Sequence, residues 1–101
     1  MSKVETIRKY ELVVIVDAKL SNEEKEGIRK EITDVVNKAG AKVINSQVWL
    51  EKNRFTFRIK KRTEGTYYLI NFEADGASAD KIRPVLRLNE RVLRFEITKV
   101  G

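Results

Sequence analysis

Ile7-Arg8-Lys9-Tyr10-Glu11-Leu12-Val13-Val14-Ile15-Val16 is the stretch on which the fold turns. Tyr10, Leu12, Val14 and Val16 share one parity and Lys9, Glu11, Val13 and Ile15 the other, the two-residue period of a strand. Val13 and Ile15 make the second face partly apolar too. A strand that is apolar on both faces belongs inside a sheet, between two neighbours.

Beyond it, Asp17 to Leu20 leave the strand, and Ser21 with Glu24 spells a capping box, in which serine and glutamate each satisfy an orphan amide at a helix start. Ile28, Ile32, Val35, Val36 and Ala39 fall along one helical stripe, with Glu23, Glu26, Lys30 and Lys38 elsewhere on the surface. Gly40 suits a left-handed C-terminal stop. Gly27, inside the helix, costs about 1 kcal/mol against alanine.

Ala41 to Lys61 is long, strand-like and free of Pro and Gly, with a bend expected at Lys52-Asn53. A polar connector, Lys61 to Gly65, leads into Thr66 to Ala74, where Tyr68, Ile70, Phe72 and Ala74 oppose Tyr67, Leu69 and Asn71, so the two runs form a hairpin. After Asp75-Gly76, Ser78 is the expected cap of a second helix bearing Ala79, Ile82, Val85 and Leu86. Pro84 removes a backbone donor there, which predicts a short or kinked helix. Asn89-Glu90 turns the chain into a last strand, Arg91 to Val100, with Leu93, Phe95 and Ile97 opposite Arg94, Glu96 and Thr98.

The order β-α-β-β-α-β is the split βαβ arrangement: one four-stranded sheet with two helices on one face. Residues 1–101 are expected to form a single domain, with 1–7 a loosely held extension. The chain has no cysteine and no histidine. That excludes disulfide scaffolds, zinc ribbons, cysteine nucleophiles and the commonest general base. No apolar run approaches the roughly 20 residues of a membrane span, and the start lacks a secretory layout, so the chain reads as cytoplasmic.

Lys and Arg number 21 against 15 Asp and Glu, a formal charge of +6. The excess is local: residues 41–65 carry +5 and 81–101 carry +4, while 66–80 carry −3. Clustered cations release counterions from phosphates, and arginine matches phosphate oxygens with a planar fork. Lys and Arg also protect and solubilise exposed strands, so charge alone leaves both readings open. Trp49, Tyr67 or Tyr68 stack on unpaired bases in one reading and pack over their own sheet in the other. The third strand lacks the basic-Gly-aromatic hallmark of the RNA-recognition motif, and the scattered glycines form no phosphate-cradling loop.

Several segments carry a resemblance: Arg8 to Val16, an acidic-start helix, Gly40-Ala41-Lys42-Val43, Trp49, Ile59-Lys60-Lys61, Glu64 to Glu73, and Leu88-Asn89-Glu90-Arg91-Val92-Leu93-Arg94-Phe95. In this order and spacing they resemble, over nearly the whole chain, the family of the sixth protein of the bacterial small ribosomal subunit. The family commonly has a glycine after the tryptophan and a proline before the Ile-Lys-Lys run; Leu50 and Arg58 stand there instead.

The resemblance implies an α+β, ferredoxin-like βαββαβ sandwich with an antiparallel sheet. It implies a non-enzymatic role without cofactor, metal or small-molecule substrate: binding 16S ribosomal RNA in its central domain, together with the eighteenth small-subunit protein, during assembly. On this reading Lys52, Arg54, Arg58, Lys60, Lys61, Arg62, Arg87, Arg91 and Arg94 are the candidate phosphate contacts. Val48, Trp49 and Leu50, on a strand edge another chain can complete, are the candidate partner contacts. The alternatives are a module that binds only protein through an exposed strand edge, and a ligand-sensing or enzymatic domain of the same fold. An acylphosphatase-like activity needs an anion-binding loop with Arg and Asn, which the sequence lacks.

Overall fold

Ser21 and Glu24 close the expected capping box: the Glu24 amide donates to Ser21 Oγ at 3.1 Å, and the Ser21 amide to Glu24 Oε1 at 3.2 Å. In the computed structural model, which describes the backbone of residues 7–59 and 62–100 and the side chains of 7–49 and 64–100, this box opens helix α1, Asn22–Lys38. Gly40, at φ +95°, follows its C-cap Ala39 and turns the chain toward the sheet.

The remaining elements are β1 (Arg8–Asp17), β2 (Lys42–Ile59), β3 (Arg62–Ala74), α2 (Gly76–Leu88) and β4 (Arg94–Val100). The strands form one sheet in the order β2-β3-β1-β4, each neighbouring pair antiparallel. β1 lies between β3 and β4, as its two apolar faces require. β1 and β2 are separated by β3, which makes this the split βαβ, ferredoxin-like arrangement.

Register sorts the side chains. Leu12 pairs with Ile70 on one side and Ile97 on the other, and Val14 with Tyr68 and Phe95. This parity faces the helices: Leu12, Val14, Val16, Ile70 and Phe72 are fully buried against Ile28, Ile32 and Val36 of α1 and Ile82 of α2. Each such side chain contributes about 1.5–3 kcal/mol on leaving water. Tyr10 stacks on Phe72 with ring centroids 5.3 Å apart. Lys25 joins the buried stripe of α1; a lysine stem lies along apolar surface readily, and apolar periodicity passes over it.

Five expectations change. α2 is capped by Asp75, whose Oδ1 accepts from the Ser78 amide at 2.7 Å; Ser78 is buried in the first turn and is not the cap. α2 runs unbroken through Pro84 for 13 residues. Pro84 and Asp80, whose carbonyl loses its donor, are both exposed, so water can take the missing bond. Val85 lies off the buried stripe and is 47% exposed.

The connector placed at Lys61 to Gly65 is largely strand: β3 starts at Arg62, with Glu64 paired to Arg54 and Gly65 to Asn53. β4 starts at Arg94, three residues later than read, because the turn continues past Glu90. The Arg91 amide donates to Asn89 Oδ1 at 3.0 Å and the Val92 amide to the Asn89 carbonyl at 3.1 Å. The expected bend at Lys52-Asn53 coincides with a register shift between Leu50 and Asn53. β2 is an edge strand, and its repeated shifts are a usual defence against edge-to-edge pairing. The expectation for the N-terminal extension falls, apart from Ile7, outside the described residues.

Candidate nucleic-acid and partner interface

Arg87 and Arg94 come from different elements, the last turn of α2 and the first residue of β4. Both line one shallow depression floored by Leu86, Val92 and Phe95. Both are exposed. Register opposite Ile15 sets Arg94 on the uncovered sheet face while Arg87 ends α2, so each guanidinium is available to phosphate oxygens separately.

Arg91, between them in sequence, turns to the flank of α1. Its Nη2 lies 3.5 Å from Glu31 Oε1, the same oxygen that accepts from Asn89 Nδ2 at 2.8 Å. Arg91 keeps about half its side-chain surface in water, so it pairs without being sequestered. Arg83 is likewise matched on its own helix, 3.7 Å from Asp80.

The other six candidates fall in the sequence segment 52–62. Lys52, Arg54 and Arg58 are β2 positions and Arg62 opens β3, but their side chains fall outside the described ones; Lys60 and Lys61 fall outside the described residues altogether.

Of the three candidate partner residues, Val48 and Trp49 lie on opposite faces. Val48 pairs with Tyr68, a helix-side residue, and is 41% exposed. Trp49 contacts Tyr67 on the opposite side, ring edge to face, with centroids 6.1 Å apart, and is 53% exposed. Leu50 is in β2, its side chain outside the described ones.

Trp49 and Tyr67 wall a groove of about 610 Å³ on the sheet face that no helix covers. Val13, Ile15 and Leu69 line it, with Glu11, Glu96 and Arg94 bringing charge. In the sequence, Val13 and Ile15 point only to a central strand. The missed signal was that Val13, Ile15, Tyr67 and Leu69 share the parity facing away from both helices.

No group of three or more Asp, Glu, His or Cys side chains is placed to hold a metal among the described residues. No helix there is long and apolar enough to cross a membrane.

Comparison with known proteins agrees with this architecture. A family model described as Ribosomal protein S6 matches residues 9–99. The small ribosomal subunit protein bS6 of Micrococcus luteus is 32% identical over 93 residues, covering 92% of this chain and 91% of its own. That of Salinispora arenicola is 33% identical, covering 92% and 96%. Among solved structures, the 30S ribosomal protein S6 of Thermotoga maritima superposes with a TM-score of 0.85 at 22% identity, covering 94% of this chain and 89% of its own. The uncharacterized protein TM1266 of the same organism superposes less closely, at 0.59 and 10% identity.

Proposed function

The chain belongs to the ribosomal protein S6 family of the bacterial small subunit, and from that premise we propose that it binds 16S ribosomal RNA in the central domain together with the eighteenth small-subunit protein. Its role is structural, in building the subunit, rather than catalytic. The observation that carries the RNA part is the uneven charge: +5 over residues 41–65 and +4 over 81–101. The exposure of Arg87 and Arg94 within the second of these segments supports it. The phosphate contacts proposed are the arm residues Lys52, Arg54, Arg58, Lys60, Lys61 and Arg62, with Arg87, Arg91 and Arg94 at the end of α2 and the start of β4. The partner contacts proposed are Val48, Trp49 and Leu50 on edge strand β2.

The test is binding to a central-domain fragment of 16S ribosomal RNA, titrated over salt, with and without the eighteenth protein. Each phosphate contact contributes about one to the slope of log affinity against log salt, so the triple variant Arg58→Ala, Lys60→Ala, Lys61→Ala lowers the slope by up to about three. An unchanged slope removes those three residues from the interface. Binding of the partner without RNA binding at any salt makes this a protein-only module.

A further inference from the structure

The sheet has two edges, and the backbone guards one of them. β2 shifts register on β3 four times, which bends an edge away from other strands. β4, at the opposite end of the sheet, runs for seven residues in unbroken register on β1, from Arg94 opposite Ile15 to Val100 opposite Lys9. The chain's single proline, Pro84, lies elsewhere. Among the described residues no strand lies beyond β4, so its outer amides and carbonyls form a row at the spacing a further strand requires.

What remains to protect β4 is charge. Arg94 and Glu96 stand opposite Ile15 and Val13, on the face away from the helices, and both are exposed. Neither forms an ion pair among the described residues. Phe95, between them, lies opposite Val14 on the helix side and packs against the core while only partly buried.

Residues directly opposite in an antiparallel pair share a face, so a strand that meets its own copy about a two-fold axis through the sheet has that axis at a residue. An axis at Glu96 sets this carboxylate opposite itself, and like charges directly opposite repel. An axis at Ile97 sets Arg94 opposite Val100 and Glu96 opposite Thr98, and pairs no opposite charges. An axis at Phe95 sets Arg94 of each copy opposite Glu96 of the other.

We propose that β4 is a homodimerisation edge, at which two copies join antiparallel about Phe95 and double the four-stranded sheet. Two reciprocal Arg94–Glu96 ion pairs form on the uncovered face, and Phe95 meets Phe95 on the helix side. The four charges alternate around a square, opposite in sign along its sides and alike only across the longer diagonals. This alternation selects a second copy as the occupant, because the charges that guard the edge against other strands are satisfied by the strand's own antiparallel copy. The Leu93 amide donates to the Ile15 carbonyl at 2.8 Å, which keeps the backbone against β1 just before Arg94 and lets the pairing run from Leu93 to Ile97. An interface of this size is of the weak, reversible class. It needs neither RNA nor another protein, and so stands apart from the function proposed above.

The experiment is sedimentation equilibrium of the full chain alone, from about 10 μM to about 1 mM, for the wild type, Arg94→Glu, Glu96→Arg and the double exchange. The wild type is expected to dimerise reversibly across that range. Each single reversal sets like charges opposite and raises the dissociation constant at least about tenfold, and the double exchange restores it to within about threefold. Thermal melts confirm that each variant folds. Amide exchange of the wild type reads the same contact without any variant, as protection that rises with concentration along β4 and not along β2.

A monomer at every concentration overturns the proposal and leaves the edge to a strand of another chain. A dimer that both reversals leave unchanged, or protection that rises along β2 instead of β4, puts the contact elsewhere and also overturns it. Dissociation by both single reversals with no recovery in the double exchange overturns the register about Phe95, and with it the reciprocal pairing.

Discussion

Arg29 holds Ser46 from the neighbouring layer: its Nε donates to Ser46 Oγ at 2.9 Å and its Nη2 to the Ser46 carbonyl oxygen. The guanidinium also lies 5.6 Å from the ring centroid of Tyr68 and 3.4 Å from Glu26 Oε2. One side chain thus ties α1 to edge strand β2 and caps an aromatic core residue. Its side chain is 24% exposed, so the fold has taken this cation out of the pool offered to a polyanion.

Arg29→Ala is therefore expected to destabilise the protein by about 2 kcal/mol, the sum of a charge-assisted pair of hydrogen bonds and a modest cation–π contact. For a domain of this size that is a fall in melting temperature of roughly 8–16 °C. Lysine keeps the charge and loses the planar fork, so Arg29→Lys recovers little. Denaturant melts supply the free energies, and the RNA salt slope should not move. An Arg29→Ala protein as stable as wild type removes the clamp from the energetics.

How much of this was legible beforehand depended on whether the signal was local. The box at Ser21 and Glu24, the stop at Gly40 and the parity of Leu12 and Val14 are local rules, and all three hold in the structure. The start of α2 was misread because Asp75 and Ser78 both have capping chemistry, and only burial of Ser78 against the core decides between them. Arg29 carried no signal at all, since its partner Ser46 is 17 residues away on another element. The groove lay half in view: the parity of Val13 and Ile15 was plain, but which face the helices leave bare follows from the assembled sheet.

Gly27, inside α1, and Gly40, just past its C-cap, make opposite predictions. A Cβ built on Gly27 meets nothing within 4 Å, so Gly27→Ala should stabilise the protein by about 0.5–1 kcal/mol through helix propensity and a less flexible unfolded chain. At Gly40 the backbone has φ +95° and a Cβ lies 3.1 Å from Ser78 Oγ. Gly40→Ala should lose roughly 1–2 kcal/mol to strain. Paired thermal melts check the contrast; equal shifts in one direction contradict it.

Glu31 sits where a fold contact meets a candidate RNA contact. Its Oε1 accepts from Asn89 and faces Arg91, so a phosphate that takes Arg91 must compete with this carboxylate. Glu31→Gln keeps an oxygen for Asn89 and removes the charge facing Arg91. Both partners are about half exposed, so the pair is worth at most about 1 kcal/mol, and releasing it should raise RNA affinity by up to about fivefold with little loss of stability.

Removing any negative charge also raises affinity for a polyanion, so the gain alone does not implicate Arg91. The cycle with Arg91→Ala separates the two effects. If Arg91 meets phosphate, Arg91→Ala lowers the salt slope by about one, and Glu31→Gln gives a smaller gain in that background than in wild type. An equal gain in both backgrounds, with the slope unchanged in Arg91→Ala, makes Arg91 a structural partner of Glu31 and withdraws it from the RNA interface, leaving Arg87 and Arg94 as the basic pair at that end of the molecule.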